Sequence, residues 1–203
     1  MLPAPRGSAF VNCPFDDAFK PLFDAIVFAC IACRFKVRSA LEVSDSGELR
    51  LEKIYRLIGE ATHSIHDLSR VEVDDDSGLP RFNMPIELGI ALGHKRFARR
   101  ARKPRLLVMD SERYRYQRFA SDLAGLDIAS HGGEPARVIA CVRAFLSPEA
   151  ADLPTADQIG ILYAGFEAQL PSLAASKRQT PEKLVFLDRM RLAEQFVATA
   201  ITA

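Results

Sequence analysis

Hydrophobic and polar residues follow two different periods along the chain. Short apolar runs that end at a polar residue or a proline are typical of buried strands. Such runs predict five strands, at residues 8–13, 35–40, 63–68, 105–110 and 126–129. The third run is marked only weakly by its composition.

Between these runs, apolar residues recur at the spacing of a helix that is buried on one face. The first helix is predicted to be capped by Asp16 or Asp17, with Pro21 in its first turn, where a missing N–H does little harm. A second helix is predicted to bury a face of four residues, Leu51, Ile54, Tyr55 and Ile58. Further helices are predicted at residues 83–97, 135–146, 155–170 and 181–200.

Strands that alternate with helices at this spacing indicate βαβ units. The pattern therefore predicts a three-layer α/β fold: a mainly parallel, flavodoxin- or Rossmann-like sheet with helices on both faces. The strand signals stop after Pro148. We expect an α/β domain over residues 1–150 and a C-terminal helical extension over residues 151–203, packed on the same domain. The last helix could cover the sheet, extend the core or form a homodimer contact.

Composition narrows the choice of partner. The chain has 203 residues and a formal net charge of +1, so nothing drives the whole molecule towards nucleic acid or membrane. No apolar run approaches the ~20 residues that cross a bilayer, and the N-terminus lacks the pattern of a secretion signal. A cytoplasmic protein without a membrane partner is expected. The basic run at residues 94–105 could touch nucleic acid, but a solvated helix end is favoured.

Four cysteines raise the question of metal or redox chemistry. Cys30 and Cys33 form a C-x-x-C pair, whereas Cys13 and Cys141 stand alone. The pair lies within an apolar helical pattern, where free cysteine behaves as a small hydrophobe. No second pair supplies further ligands, so we expect no metal and reduced thiols.

Polar residues collect where the predicted strands end. In open parallel sheets, ligands bind at the carboxyl ends of the strands. This rule selects residues 12–17 after the first strand, Asp67, Ser69 and Arg70 after the third, and residues 83–89 at the start of the next helix. All of them are expected at one edge, with Arg50 at the start of the second helix pointing into the same crevice.

Three of these segments carry motifs in a recognisable order: FVNCPFD at residues 10–16, HDLS at residues 66–69 and NMPIELGIA at residues 83–91. They resemble the motifs of the nucleoside 2-deoxyribosyltransferase-like superfamily, and are similar to those of bacterial Toll/interleukin-1-receptor-like nucleotide-binding domains. The likeness covers roughly residues 8–146, and the E-L-G-x-A piece is its most specific part.

The resemblance implies an enzyme that cleaves or transfers at the N-glycosidic bond of a nucleoside, nucleotide or NAD. By motif, Glu87 would attack or stabilise the anomeric carbon, and Asp67 would hold or protonate the substrate. A carboxylate close to the sugar suits an oxocarbenium-like transition state. Gly89 and Ala91 are expected to let their helix pack closely on the sheet. No cofactor is implied, since the nucleotide or NAD would be substrate or ligand.

The remaining candidates are assigned to substrate binding. Substrate binding is expected from seven residues: Asn12, Phe15, Asp16, Ser69, Arg70, Arg81 and Asn83. Among them, Asn12 and Asp16 could hydrogen-bond sugar or phosphate, and the two arginines could neutralise a phosphate. Asn12 and Asp16 could instead cap the first helix. Tyr114 and Tyr116 could stack on a base, although covering the edge of a core is the commoner role of such tyrosines.

Two alternatives stay open. The loop before Glu87 is longer and more acidic than in the transferases, so hydrolysis, or binding without turnover by a nucleotide sensor or interaction module, competes with deoxyribosyl exchange. Glu87 itself could be a first-turn acid that satisfies the helix dipole, worth only ~0.3–1 kcal/mol. In either case we expect Glu87→Gln to leave folding almost unchanged.

Overall fold

The computed structural model describes residues 3–42, 45, 47–73, 78–99, 103–149 and 152–202, with side chains up to residue 200. The strands are β1 (Gly7–Asn12), β2 (Phe35–Arg38), β3 (His63–Asp67), β4 (Arg105–Asp110) and β5 (Ala129–Ser130). The helices are α1 (Lys20–Ala32), α2 (Arg50–Glu60), α3 (Asn83–Phe97), α4 (Pro135–Leu146), α5 (Ala156–Ser176) and α6 (Phe186–Thr202).

The strands form one parallel sheet in the order β2-β1-β3-β4-β5. This order is the flavodoxin-like one, and its direction reverses between β1 and β3. Successive side chains of β1 pack against different helix layers, because the side chains of a strand point alternately to the two faces of the sheet. Ala9 and Val11 pack with α1 and α4, whereas Phe10 packs with α2. Helices therefore cover both faces, and the predicted three-layer fold is confirmed.

Helix α1 is buried on almost every side. Its residues from Leu22 to Ala32 are all buried except Asp24. The sheet and α4 cover one side, and α5 and α6 cover the other, where Phe28 lies 5.4 Å from Phe166 between ring centroids. The last helix buries Met190, Leu192, Ala193 and Val197 in the same cluster. Of the roles considered for this helix, it extends the core.

Two packing expectations are wrong. In α2, Leu51 and Tyr55 are exposed, and the buried face consists of Ile54, Leu57 and Ile58. Gly89 is exposed, and a Cβ there would meet no heavy atom within 4 Å, so close helix packing does not require this glycine. Ala91 is fully buried against the Phe10 cluster, as expected.

The cysteines lie in or beside the hydrophobic core, and the basic run begins at a helix end. All four cysteines are free, and Cys30 and Cys33 are buried within and at the end of α1. The basic run begins in the last turn of α3 with His94, Lys95 and Arg96, where positive charge suits the helix dipole. Residues 100–102 of that run lie outside the described residues. In the described part of the chain, no helix is both long and apolar enough to cross a membrane.

Candidate functional site

A cavity of about 590 Å³ opens at the carboxyl edge of the sheet, beside the point where the strand order reverses. This volume suits a small-molecule ligand, for which sites are typically about 300–1,000 Å³. The cavity lies between the end of β1, the first residue of α2, and the start of α3 with the segment before it. Its lining residues are Asn12, Cys13, Pro14, Phe15, Arg50, Leu79, Pro80, Arg81, Phe82, Asn83, Met84 and Glu87.

Glu87 brings a buried carboxylate to this cavity. It is the fifth residue of α3, which begins at Asn83, so it lies in the second turn and not in the first. The capping interpretation therefore does not hold. Burial raises the pKa of the Glu87 carboxyl to about 7, and Arg50 opposes part of this rise. Arg50 Nη2 lies 3.8 Å from Glu87 Oε1 while its own side chain is 61% exposed, so the ion pair is loose and a ligand could enter it.

Asn12 is held rigidly at the base of the cavity. Its Nδ2 donates to His66 Nδ1 at 3.0 Å and to the carbonyl of Met84 at 3.1 Å. Because His66 Nδ1 accepts, the ring proton is on Nε2, which lies 2.5 Å from Ser64 Oγ. Burial lowers the pKa of His66 to about 3, so the ring is neutral near pH 7. The amide of Asn12 thereby joins β1, β3 and α3, and both of its N–H groups have protein acceptors.

Arg81, at the cavity wall, belongs to a cluster of three charged residues. Asp16 Oδ2 accepts from Arg81 at 2.9 Å and lies 3.8 Å from Arg70 Nη2. Its Oδ1 accepts from the backbone N–H of Phe19, which stabilises the turn before α1. The predicted helix cap is wrong, because Phe19 itself occupies the N-cap position of α1 and no side chain caps it. Arg81 lines the cavity, whereas Asp16 and Arg70, both predicted to bind substrate, lie outside its lining.

Apolar and aromatic groups form the rest of the wall. Phe15 and Phe82 line the cavity and are 41% and 61% exposed, so both rings are accessible to a ligand. Asn83, the first residue of α3, lies exposed at the same wall. Burial raises the pKa of the Cys13 thiol well above its usual value, so this cavity residue stays protonated and is a poor nucleophile.

Asp67 does not reach the cavity, and this corrects the expectation that it shares a cleft with Asn12 and Glu87. Its side chain is fully buried. Oδ1 accepts from the backbone N–H of Ser69 at 2.9 Å, and Oδ2 lies 3.0 Å from His131 Nε2. Asp67 is thus enclosed by its own hydrogen-bond partners, although it follows β3 at the predicted edge. Ser69 lies outside the cavity lining as well, with Oγ 2.9 Å from the same Nε2.

His131 is the residue that sequence reasoning missed. It is fully buried, and its Nδ1 accepts from the backbone N–H of Gly133 at 3.0 Å, so Nε2 carries the proton and donates towards Asp67. The rule that selected the ends of β1 and β3 would have found it, because His131 directly follows β5. Asp67 and Ser69 both meet Nε2, so the three residues do not form the relay of a serine hydrolase, which uses both ring nitrogens.

The two tyrosines take different places, and neither lines the cavity. Tyr116 is buried, and its hydroxyl donates to the carbonyl of Leu126 at 3.4 Å, so it covers a core edge. Tyr114 is exposed at φ +64°, with the guanidinium of Arg113 4.9 Å from its ring centroid.

Among the described residues, no group of three or more His, Cys, Asp or Glu side chains is placed to hold a metal ion.

No protein-family model matches the chain, and no curated protein matches it. The flavodoxin-like fold is shared by proteins of many functions, so the fold alone does not select one. The residues of the cavity therefore carry the functional argument.

Proposed function

We propose that the chain cleaves or transfers at the N-glycosidic bond of a nucleoside, nucleotide or NAD, with Glu87 as nucleophile or charge stabiliser. One observation carries this proposal: a buried carboxylate lines a ligand-sized cavity at the carboxyl edge of a parallel sheet. A pKa of about 7 leaves much of the group ionised near neutral pH and makes it a stronger base than an ordinary glutamate. The resemblance of the three motifs supports the same reaction class.

Besides Glu87 and the substrate, the proposed hydrolysis needs only water. The Glu87 carboxylate attacks the anomeric carbon while the bond to the base nitrogen breaks, and the bonding electron pair leaves with the base. The base takes a proton from solvent. Water then attacks the anomeric carbon, the ester bond to Glu87 breaks, and a proton returns to solvent. In a transfer reaction, the nitrogen of a second base replaces the water. As a charge stabiliser, Glu87 would instead face the cationic sugar without bonding.

The other cavity residues suit the parts of such a ligand. Arg50 and Arg81 present guanidinium groups, which pair well with phosphate. Phe15 and Phe82 present exposed rings on which a base could stack. The buried amide of Asn12 offers its oxygen to a sugar hydroxyl. Each group contributes recognition, while Glu87 acts at the reacting carbon.

A second candidate is a nucleotide-binding sensor or interaction module without turnover. It is favoured by the position of Asp67, which is enclosed away from the cavity. Among the described residues that line the cavity, Glu87 is the one carboxylic acid. Within this described lining, no second acid is placed to protonate the leaving base, and this would slow cleavage of an unactivated bond.

Release of free base separates the two candidates. The native protein is incubated with nucleosides, nucleotides and NAD, and the products are resolved by chromatography. We expect base release, reduced at least 100-fold in Glu87→Gln, because removal of one preorganised group that stabilises a transition state typically costs about 10²–10³-fold. Glu52→Gln, at an exposed position of α2, is the matched control. Near-normal release by Glu87→Gln would exclude Glu87 from the reaction, and binding without release would favour the sensor.

A further inference from the structure

A row of three aromatic rings joins the C-terminal helix to the ligand cavity. The ring of Phe15 lies 5.5 Å from that of Phe23, centroid to centroid, and nearly perpendicular to it at 84°. The ring of Phe23 in turn stacks on Phe186 at 5.6 Å and 28°. Both geometries are favourable for aromatic pairs. The row thus runs from a cavity wall, through α1, to the first residue of α6.

The loop between β1 and α1 is contacted from two sides, by residues near the cavity and by the C-terminal segment. Towards the cavity mouth, Asp16 accepts from Arg81 and from the backbone N–H of Phe19. Towards the C-terminal segment, Phe15 has the Phe23–Phe186 stack behind it. A small cavity of about 180 Å³ separates the loop from this segment and is lined from both sides, by Pro14, Phe15, Asp16, Asp17, Lys20, Phe23, Asp24, Leu41, Leu184, Phe186 and Arg189.

The start of α6 is itself anchored on α1. Arg189 Nη2 lies 3.0 Å from Asp24 Oδ2, and both side chains are largely buried. The same guanidinium pairs with Glu167 of α5 and lies 5.7 Å from the ring of Phe166. With its first turn fixed in this way, α6 offers Phe186 as a firm support for Phe23.

We propose that Phe186 is a positioning residue for the ligand cavity: through Phe23 it holds Phe15, and the loop that carries Phe15 and Asp16, in the conformation that binds ligand. The C-terminal segment thereby belongs to the binding machinery although none of its residues lines the cavity in the described part of the chain. The catalytic carboxylate lies on α3, outside this row. Loss of Phe186 should therefore weaken ligand binding and leave the chemical step almost unaffected.

The loop can be followed without any ligand. The backbone N–H groups of Phe19 and Lys20 donate to the carbonyl of Asp16 at 3.1 and 3.0 Å, so their hydrogen exchange reports the order of the loop. We expect Phe186→Ala to speed exchange in fragments spanning residues 13–20 at least tenfold. Phe186→Leu retains apolar bulk and is expected to give a smaller increase in exchange. If the alanine variant does not fold, the leucine variant is compared with the native protein instead.

Phe196→Ala is the matched control. This residue lies on the same helix and packs on Phe28 and Phe166, away from the loop. It should lower the stability of the whole molecule without selective exchange at residues 13–20. Equal exchange changes at residues 13–20 in the Phe186 and Phe196 variants, or none in either, would overturn the positioning role.

The ligand measurement rests on the proposed function. With adenosine 5′-monophosphate and NAD as probes, the dissociation constant or KM of Phe186→Ala should rise about tenfold, with kcat changed less than twofold. Phe196→Ala should leave both values unchanged. A fall in kcat at constant KM would contradict the proposal. If neither probe binds the native protein, the proposed function fails for adenine nucleotides, and the exchange comparison still decides the role of Phe186.

Discussion

At the scale of single residues, the burial of Glu87 links the cavity to the stability of the fold. Burial raises the pKa of this carboxyl to about 7 from an ordinary value of 4.5. Between these values the folded state binds more protons than the unfolded state. The contribution of Glu87 to stability is therefore fully present below about pH 4.5 and is lost as the pH rises through about 7. This replaces the expectation of a nearly neutral substitution.

Glu87→Gln should remove that pH dependence, because the amide does not ionise. One pKa unit corresponds to about 1.36 kcal/mol, so the variant should gain up to roughly 3 kcal/mol relative to the native protein between pH 4.5 and 8. Urea unfolding at several pH values measures the difference, with Glu52→Gln as control. Parallel curves for Glu87→Gln and the native protein would show that Glu87 ionises normally.

Arg50 is the other residue whose charge acts on Glu87. It lies 3.8 Å away and lowers the pKa of this carboxyl, against the larger effect of burial. Arg50→Met should therefore raise the pKa of Glu87 further and move the acid limb of any pH–activity profile to higher pH. Titration of the labelled carboxyl by NMR measures this change even without turnover. Arg56→Met, on the same helix but paired with Glu48, should leave the titration unchanged.

At the scale of elements, a buried network joins the ends of β3 and β5. His131 Nε2 lies 3.0 Å from Asp67 Oδ2, and both side chains are fully buried. His131→Ala would leave a buried carboxylate oxygen without its donor, and a lost hydrogen bond to a charged group typically costs about 1.5–3 kcal/mol. We expect a loss of this size or more in the free energy of unfolding. His94→Ala, in the last turn of α3, should cost far less.

The elements that the sequence predicts well are those with strong local signals. The bounds of α3 and α4 follow closely from the hydrophobic pattern and from Pro135 at the start of α4. The sequence does not predict the buried face of α2 correctly, because Leu51 and Tyr55 fit the helical period as well as Leu57 does. Only packing against the sheet decides which of these residues are buried. The strand predicted at residues 126–129 differs from β5 at Ala129–Ser130, since a strand of two residues leaves almost no hydrophobic pattern.

The candidate site, too, is predicted only in part. Motif order and the rule for strand ends correctly place Asn12, Phe15, Arg81, Asn83 and Glu87 at one cavity. They do not show how deeply each side chain is buried. Asp67 ends its strand at the right edge, yet His131 encloses it from a segment that lies 64 residues away in the chain. Long-range contacts of this kind leave no local signal in a single sequence.

At the scale of the whole molecule, the C-terminal helices share one hydrophobic core with the sheet. Residues of α5 and α6 belong to the same buried cluster as Ala9, Val11 and α1. Phe166 of α5 shows how close this connection is, because its ring packs on Phe28 at 5.4 Å and on Phe196 at 5.6 Å. Such sharing favours unfolding of the sheet and helices α1 to α6 as a single cooperative unit.

Phe166→Ala tests this cooperativity. Phe166 is 2% exposed, and replacing a buried phenylalanine by alanine typically costs about 3–5 kcal/mol. If the helices and the sheet form one unit, the whole urea transition should move to lower concentration as a single step, with the same midpoint by far-UV circular dichroism and by tyrosine fluorescence. Ile161→Ala, on the same helix but 73% exposed, should leave the midpoint nearly unchanged. Two separate transitions, with only the one for α5 and α6 shifted, would show that residues 151–203 fold independently of the α/β domain. Phe186 could not then act as a firm support for the loop at the cavity.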